Sequence, residues 1–257
     1  MEFVTYTVED RIGYITLNRP EKRNALSPQL ITELQQAFLR ADDDDRVKVI
    51  VLKAEGKVFC AGADLAYIQT LQTNSYEENL EDSMHLRNLF YKIYTMSKVV
   101  IAQVHGHAIA GGCGLASICD FTIAAPEAKF GYTEVKIGFI PALVKVFLLR
   151  KLGETRAKEL LLTGDLISAE RAETIGLITR VVAAESLESE VQKLADHLCA
   201  QNSGDSMAFT KRMIAEIPGM SVEDGLNYAA KQNARARATE DCKKGIAGFL
   251  NKEPAQW

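Results

Sequence analysis

The chain has 257 residues, 47% of them hydrophobic and 25% charged, with a formal net charge of −4. That balance supports one large packed core and excludes a disordered or collagen-like chain. It also argues against a duplex-binding protein, since phosphate contacts need concentrated Lys and Arg, whereas a small anionic ligand asks only for a local basic patch. Five cysteines (Cys60, Cys113, Cys119, Cys199 and Cys242) are odd in number and lack metal-ligand spacing, so they read as reduced core residues. The N-terminus carries no basic segment followed by an apolar one, and no run approaches the ~20 apolar residues of a membrane span. A cytoplasmic protein without membrane or nucleic-acid partners is therefore expected.

In chain order, Tyr6 to Leu17 contains two short β-like runs broken by Glu9-Asp10-Arg11, the pattern of a hairpin. Ser27-Pro28 is an N-cap followed by proline at the first helical position, and Leu30, Leu34, Ala37 and Phe38 share one helical face up to about Ala41. Asp42 to Asp45 reads as a solvated connection, and Val47 to Leu52 as a buried strand that completes a βαβ unit. A glycine- and alanine-rich loop, Gly56 to Leu65, precedes a helix over Tyr76 to Ser97 and a strand over Val99 to Val104. A second glycine-rich segment, Gly106 to Gly114, leads into a helical Leu115 to Cys119 and a strand from Asp120 to Ala125. Beyond Pro141 strand signals nearly vanish. Val144–Leu152, Arg156–Leu162, Ala169–Ile175, Leu187–Ala200, Met207–Glu216, Val222–Arg237 and Asp241–Leu250 all read as helices. The fold class is thus α/β, with a sheet core over residues 1–195 and a helical segment over 196–257.

The two glycine-rich loops carry the first chemical signal. Small residues let a ligand touch the backbone, and a helix starting near Gly112 would leave its first N–H groups unpaired. One N–H from each loop could grip a carbonyl oxygen, and removing one such donor from an enzyme typically costs ~2.7–4 kcal/mol of transition-state stabilisation. Ordinary strand-to-helix turns are the plainer reading of either loop alone. A P-loop is excluded because Gly112 and Cys113 stand where Lys and Ser or Thr are required. A dinucleotide fingerprint fails as well, since the preceding strand ends early and Ser117 replaces the third glycine. His105 and His107 have no carboxylate or cysteine at partner spacing and suit packing or backbone hydrogen bonds, while His85 and His197 fall on exposed helices. Asp120, at a helix-to-strand junction, suits a turn.

Six blocks give these loops a context: Asn18 to Leu26, Phe59 to Leu65, His105 to Cys113, Cys119-Asp120, Phe130 to Pro141, and Leu162 to Asp165. In this order they resemble the enoyl-CoA hydratase/isomerase (crotonase) family, and the match runs from about Tyr6 to Phe249. The resemblance implies a crotonase-like fold of repeated ββα units forming a twisted sheet, with a C-terminal helical segment that caps and trimerises. Homotrimers, or hexamers built as dimers of trimers, are implied as well. It further implies an acyl-CoA thioester as substrate, coenzyme A being part of that substrate, and no separate cofactor or metal.

Carried over by position, the resemblance assigns the N–H groups of Ala63 and Gly111 to an oxyanion hole. Ala61, Asp64 and Leu65 would line the pantetheine and adenine region, Lys22, Arg23 and Ala25 would lie near the nucleotide end, and Phe249 with Lys252 would close over it. Family hydratases use two glutamates. Here Glu134 matches the later one, and Gly114 occupies the position of the earlier one. Apolar neighbours Val135, Ile137, Phe139 and Ile140 would raise the Glu134 pKa toward a useful range. Gly114 would open space for a bulkier acyl chain, with Tyr132 helping to hold water. The expected reaction is hydration of a 2-enoyl-CoA, with the run Glu134 to Ala142 most similar to members acting on branched substrates such as 3-methylglutaconyl-CoA. A Δ3-Δ2-enoyl-CoA isomerase with Glu134 as its single base is the alternative, and a non-catalytic acyl-CoA or RNA-binding scaffold is the rival from another class.

Overall fold

The computed structural model describes residues 1–253 and 255–257. Strands β1 (Val4–Glu9) and β2 (Ile12–Leu17) form the expected antiparallel hairpin, with Val4 opposite Leu17. Asp10 (φ 43°) and Arg11 (φ 68°) both take the left-handed conformation, as a two-residue turn matched to strand twist demands. Ser27 Oγ accepts the Leu30 N–H at 3.3 Å and starts helix α1 (Pro28–Asp43), which buries Leu30, Leu34, Ala37, Phe38 and Ala41. Strand β3 (Val49–Ala54) then returns parallel to β2. It begins two residues later than the sequence suggests, because the Val47 and Lys48 N–H groups close the turn onto Asp44 O and Arg11 O. The acidic run before it is not simply solvated. Asp42 accepts hydrogen bonds from Lys92 Nζ at 2.5 Å and Ser97 Oγ at 2.7 Å, fastening α1 to the end of a later helix.

The chain next makes β4 (Val58–Cys60), α2 (Leu65–Thr70), α3 (Tyr76–Thr95), β5 (Val99–Val104), β6 (His107–Ile109), α4 (Gly111–Ser117), β7 (Phe121–Ala124) and β8 (Lys129–Gly131). β3, β5 and β7 join a six-stranded sheet, whereas β4, β6 and β8 join a separate four-stranded one. Each strand pair thus splits between two sheets before its helix, which is the repeated ββα arrangement. β4 and β6 are too short for a period to show, so the sequence reads both as loop.

After Pro141 the chain is not purely helical. A long helix, α5 (Val144–Thr163), is interrupted at Gly153 (φ 71°, ψ 175°) between the two helical stretches read from sequence. β9 (Ile167–Ser168) pairs antiparallel with β8, and, past α6 (Ala169–Thr174), β10 (Arg180–Val181) pairs parallel with β7. Two-residue edge strands leave no alternation to read.

The large sheet is buried on both faces, as parallel strands require. Ile50, Leu52, Val100 and Ala102 face the cluster containing α1, while Val49, Val51 and Ile101 face α7 (Leu187–Gln201). Helix α7 crosses residue 195 without a break, so the boundary expected there falls inside a core helix. The character of the chain changes instead at Asn202-Ser203, ahead of α8 (Gly204–Glu216), α9 (Val222–Ala236) and α10 (Glu240–Asn251).

Candidate active site

The two loops that follow β4 and β6 are brought together because those strands pair in parallel, Val58 with His107 and Cys60 with Ala108. A third segment completes the wall. Asn24, fully buried and left-handed (φ 53°), donates from Nδ2 to Glu55 O and Val58 O, both at 2.9 Å, and its Oδ1 accepts the Arg19 N–H at 2.8 Å. This staple lays Arg23 to Leu26 alongside Ala61 to Asp64. The Ala61 N–H donates to Arg23 O, the Leu26 N–H to Gly62 O, and the Asp64 N–H to Leu26 O. Since neighbouring N–H groups of extended backbone point to opposite sides, Ala63 is left with its N–H directed away from Leu26.

That N–H has no acceptor among the described residues, and neither has the N–H of Gly111, the first residue of α4. The two loops touch. A Cβ on Gly62 (φ 89°) would stand 2.8 Å from Ile109 O and 3.3 Å from Gly111 N, and one on Gly112 would stand 2.2 Å from Cys60 O. Only glycine permits this approach. Between the loops, Ala110 holds φ 51° and ψ −125°, a conformation costing on the order of 1–3 kcal/mol for a residue with a side chain. Its N–H is tied to Gly131 O and its C=O accepts the Gly114 N–H, which fixes the direction of the Gly111 N–H. Two unpaired donors at adjacent chain turns, held by a strained hinge, can bind one oxygen carrying negative charge.

Glu134 starts a 3-10 turn, Glu134–Ile137, that follows β8, the next strand of the same small sheet. Its Oε2 is buried and lacks a hydrogen-bond partner. Burial raises its pKa above the ordinary carboxylate value of 4.5. Of the apolar neighbours named from sequence, Val135 is half-buried, whereas Ile137, Phe139 and Ile140 are exposed by 61%, 50% and 60%. Glu134 instead lies close enough to Cys113 and Tyr132 for its charge to raise the pKa of both. A carboxylate left without a donor in a partly dry site is suited to taking and returning a proton.

The remaining expected residues divide. Ala25, Ala61, Ala63, Asp64, Leu65 and Gly111 are brought into one neighbourhood, with the exposed Lys22 and Arg23 on the same loop as Ala25. Asp64, however, is committed to structure: Oδ1 caps α2 through the Ala66 and Tyr67 N–H groups, and Oδ2 pairs with Arg19 at 2.8 Å. Tyr132 is wholly buried, its hydroxyl 3.2 Å from Ser117 Oγ, so it does not line an open acyl site. Gly114 opens no space either. A Cβ there would lie 2.3 Å from Val144 Cγ1 and 3.4 Å from Phe90 Cε2. Phe249, 85% exposed, and Lys252 sit at the end of α10, which packs on α8, so among the described residues Phe249 closes over no part of the site. His105 Nε2 lies 2.9 Å from Gly56 O and His85 Nε2 lies 3.1 Å from Thr32 Oγ1.

Sequence reasoning missed Ala110, Asn24 and Val144. Asn24 carried a signal, because asparagine tolerates a left-handed backbone and can staple loops. Ala110 and Val144 carried none.

Comparison with known proteins places the chain in a family. The family model described as enoyl-CoA hydratase/isomerase matches residues 7–257. A Thermus thermophilus protein whose name places it among enoyl-CoA hydratases is 43% identical over 246 residues, covering 96% of this chain and 97% of its own. The crotonyl-CoA hydratase of Syntrophomonas wolfei is 36% identical, covering 97% and 95%. Among solved structures, an enoyl-CoA hydratase from Mycobacterium smegmatis superposes with a TM-score of 0.92 at 30% identity, over 99% of this chain and 98% of that one.

Proposed function

Because the chain belongs to the enoyl-CoA hydratase/isomerase family, we propose that it adds water across the double bond of a 2-enoyl-CoA. The thioester oxygen would sit between the Ala63 and Gly111 N–H groups. As charge moves onto that oxygen, both donors stabilise the enolate without reorganising, because Ala110 and the Leu26 pairing already hold them in place. Glu134 would handle the proton. The observation that carries this reading is the buried, unpartnered Glu134 Oε2, a group that is costly to keep unless it acts. No cofactor is needed, since coenzyme A arrives with the substrate. Lys22, Arg23 and the loop Ala61 to Leu65 would hold its nucleotide and pantetheine parts. Phe249 and Lys252 would close over them from a second copy in a homotrimer or hexamer. We keep the cytoplasm as the expected location, and among the described residues no helix is long and apolar enough to cross a membrane.

The acyl chain is short and unbranched in this reading. A branched substrate was suggested by the run Glu134 to Ala142 and, separately, by room expected at Gly114; Val144 fills that room, which leaves the run as its one support. One carboxylate in place of two also supports a second activity, Δ3-Δ2 isomerisation, which needs a single base and no bound water. Initial rates with crotonyl-CoA, 3-methylglutaconyl-CoA and a 3-enoyl-CoA, with products separated chromatographically, test the order. Hydroxyacyl product formed fastest from crotonyl-CoA supports the proposal. Isomerisation with no hydroxyacyl product from any of the three would replace it.

A further inference from the structure

Position 114 lies one helical turn after Gly111, and side chains on a helix lean toward its N-terminus. A side chain at 114 would therefore extend along the face of α4 that carries the Gly111 N–H. In this chain that volume is already taken. Val144, the first residue of α5 and only 5% exposed, places Cγ1 where a Cβ at 114 would lie 2.3 Å away, and Cε2 of the fully buried Phe90 would lie 3.4 Å from it. Val144 also follows, within ten residues, the turn that carries Glu134, and both α4 and that turn pack against α5. β-Branching at the start of a helix leaves valine little freedom to turn the methyl away.

We propose that Val144 is a specificity-determining residue of the reaction: it occupies the place of a second carboxylate and keeps the wall beside the oxyanion donors dry and apolar. The inference rests on the hydratase reading. In this arrangement Gly114 and Val144 form a coupled pair. A water molecule on that side meets hydrocarbon, so attack at the β carbon proceeds with Glu134 alone, while enolate formation at the α carbon does not depend on the wall. Selectivity between hydration and proton exchange is thus written into the Gly114–Val144 contact. Gly114→Glu by itself meets the Val144 methyl and cannot reach the site. Gly114→Glu with Val144→Ala removes that obstruction.

The test compares wild type, Gly114→Glu, Val144→Ala and the double variant in two assays. One is hydration of crotonyl-CoA. The other is exchange of the α proton of butyryl-CoA with deuterated solvent, which needs the oxyanion donors and Glu134 but no attacking water. The expected result is that the double variant raises the ratio of hydration to exchange by about tenfold over wild type, because a second group now positions the water. Gly114→Glu alone should lower both rates. An equal rise in the ratio for Gly114→Glu alone, or no rise in the double variant, would overturn the proposal. Should the glutamate variants fail to fold, Gly114→Ala and Val144→Ala form a smaller cycle read by thermal unfolding. Their losses should be less than additive if the methyl and the new Cβ compete for one space, and strict additivity would overturn the proposal. A wild type that exchanges no α proton would defeat the hydratase reading, whereas the unfolding cycle would still report on the contact.

Discussion

The two-sheet region and the last three helices are built on different terms. In the two-sheet region β3 and β5 are packed on both faces and α1 and α7 bury one face each, although α3 and α5 leave Leu80, Met84, Val146, Leu149 and Leu162 exposed. In α8, α9 and α10 the pattern reverses: Lys211 and Gly225 are the buried residues, while Ile214, Val222, Leu226, Ile246, Phe249 and Leu250 are exposed. The first region holds the Ala63 and Gly111 N–H groups of the proposed oxyanion site by itself, because the backbone geometry there depends on local packing. The second presents amphipathic helices whose apolar faces remain to be covered, and in the proposed assembly another copy covers them. The residues expected to close the site, Phe249 and Lys252, belong to that second region.

The comparison is sharpest at Glu134. Glu134→Gln should lower turnover by about 10²–10⁴-fold, the usual loss for a general acid–base, with substrate affinity kept, as steady-state kinetics and calorimetry would show. Its stability effect should have the opposite sign. Burial raises the Glu134 pKa in the folded state, so the folded protein binds this proton more tightly than the unfolded chain does. Its contribution to stability is therefore full below the unfolded value near 4.5 and is lost as pH rises through the folded value. Thermal unfolding should show the glutamine variant a few degrees more stable at pH 8 and indistinguishable at pH 4.

The joint between the two regions comes next. Lys211 Nζ, on α8, donates to Asp120 Oδ2 at 2.7 Å and to Lys98 O at 2.9 Å, and the same Oδ2 accepts the Val100 N–H. Removing one partner from a buried pair typically costs ~3–5 kcal/mol, so Lys211→Ala should lower stability by about that amount in denaturant titration. Asp120 is thus more than a turn residue, although its pairing with a helix 91 positions away was invisible locally. A milder break is Leu226→Asp combined with Phe249→Asp. Sedimentation should show a fall to monomer and kinetics a loss of coenzyme A affinity, while the two-sheet region keeps its unfolding transition. The smallest effect belongs to Ala110→Gly. Relieving the positive φ should offset the added chain entropy and stabilise by about 1 kcal/mol, with turnover reduced less than tenfold as the hinge loosens.

What was legible in the sequence follows the length of each signal. α1, α3 and α7 have enough turns for a repeat at 3.6 residues, and β5 opens on three β-branched residues, Val99 to Ile101, so their placement needed no context. β4, β6, β9 and β10 have two or three residues each and exist only because a neighbouring strand pairs with them. The two loops proposed to hold the thioester oxygen announced themselves through glycine, and Glu134 through its place in an ordered block. The state of Gly114 could not be read, because a glycine looks the same whether it faces a cavity or a methyl group thirty residues on. Tyr132 failed similarly: its spacing from Glu134 is visible, but its burial against Ser117 depends on α4 folding back onto β8.

Burial also sorts the thiols. Cys60, Cys113 and Cys119 are enclosed, and the lack of solvent pushes each up to about 12; burial moves Cys199 upward as well. At neutral pH these sulfurs hold their protons, and a maleimide or iodoacetamide reagent finds neither thiolate nor access. Cys242, in α10, is partly exposed. A single fluorophore should therefore attach at one position without mutagenesis, on the helix whose apolar face looks outward. Its emission would then report the docking and release of neighbouring copies in real time.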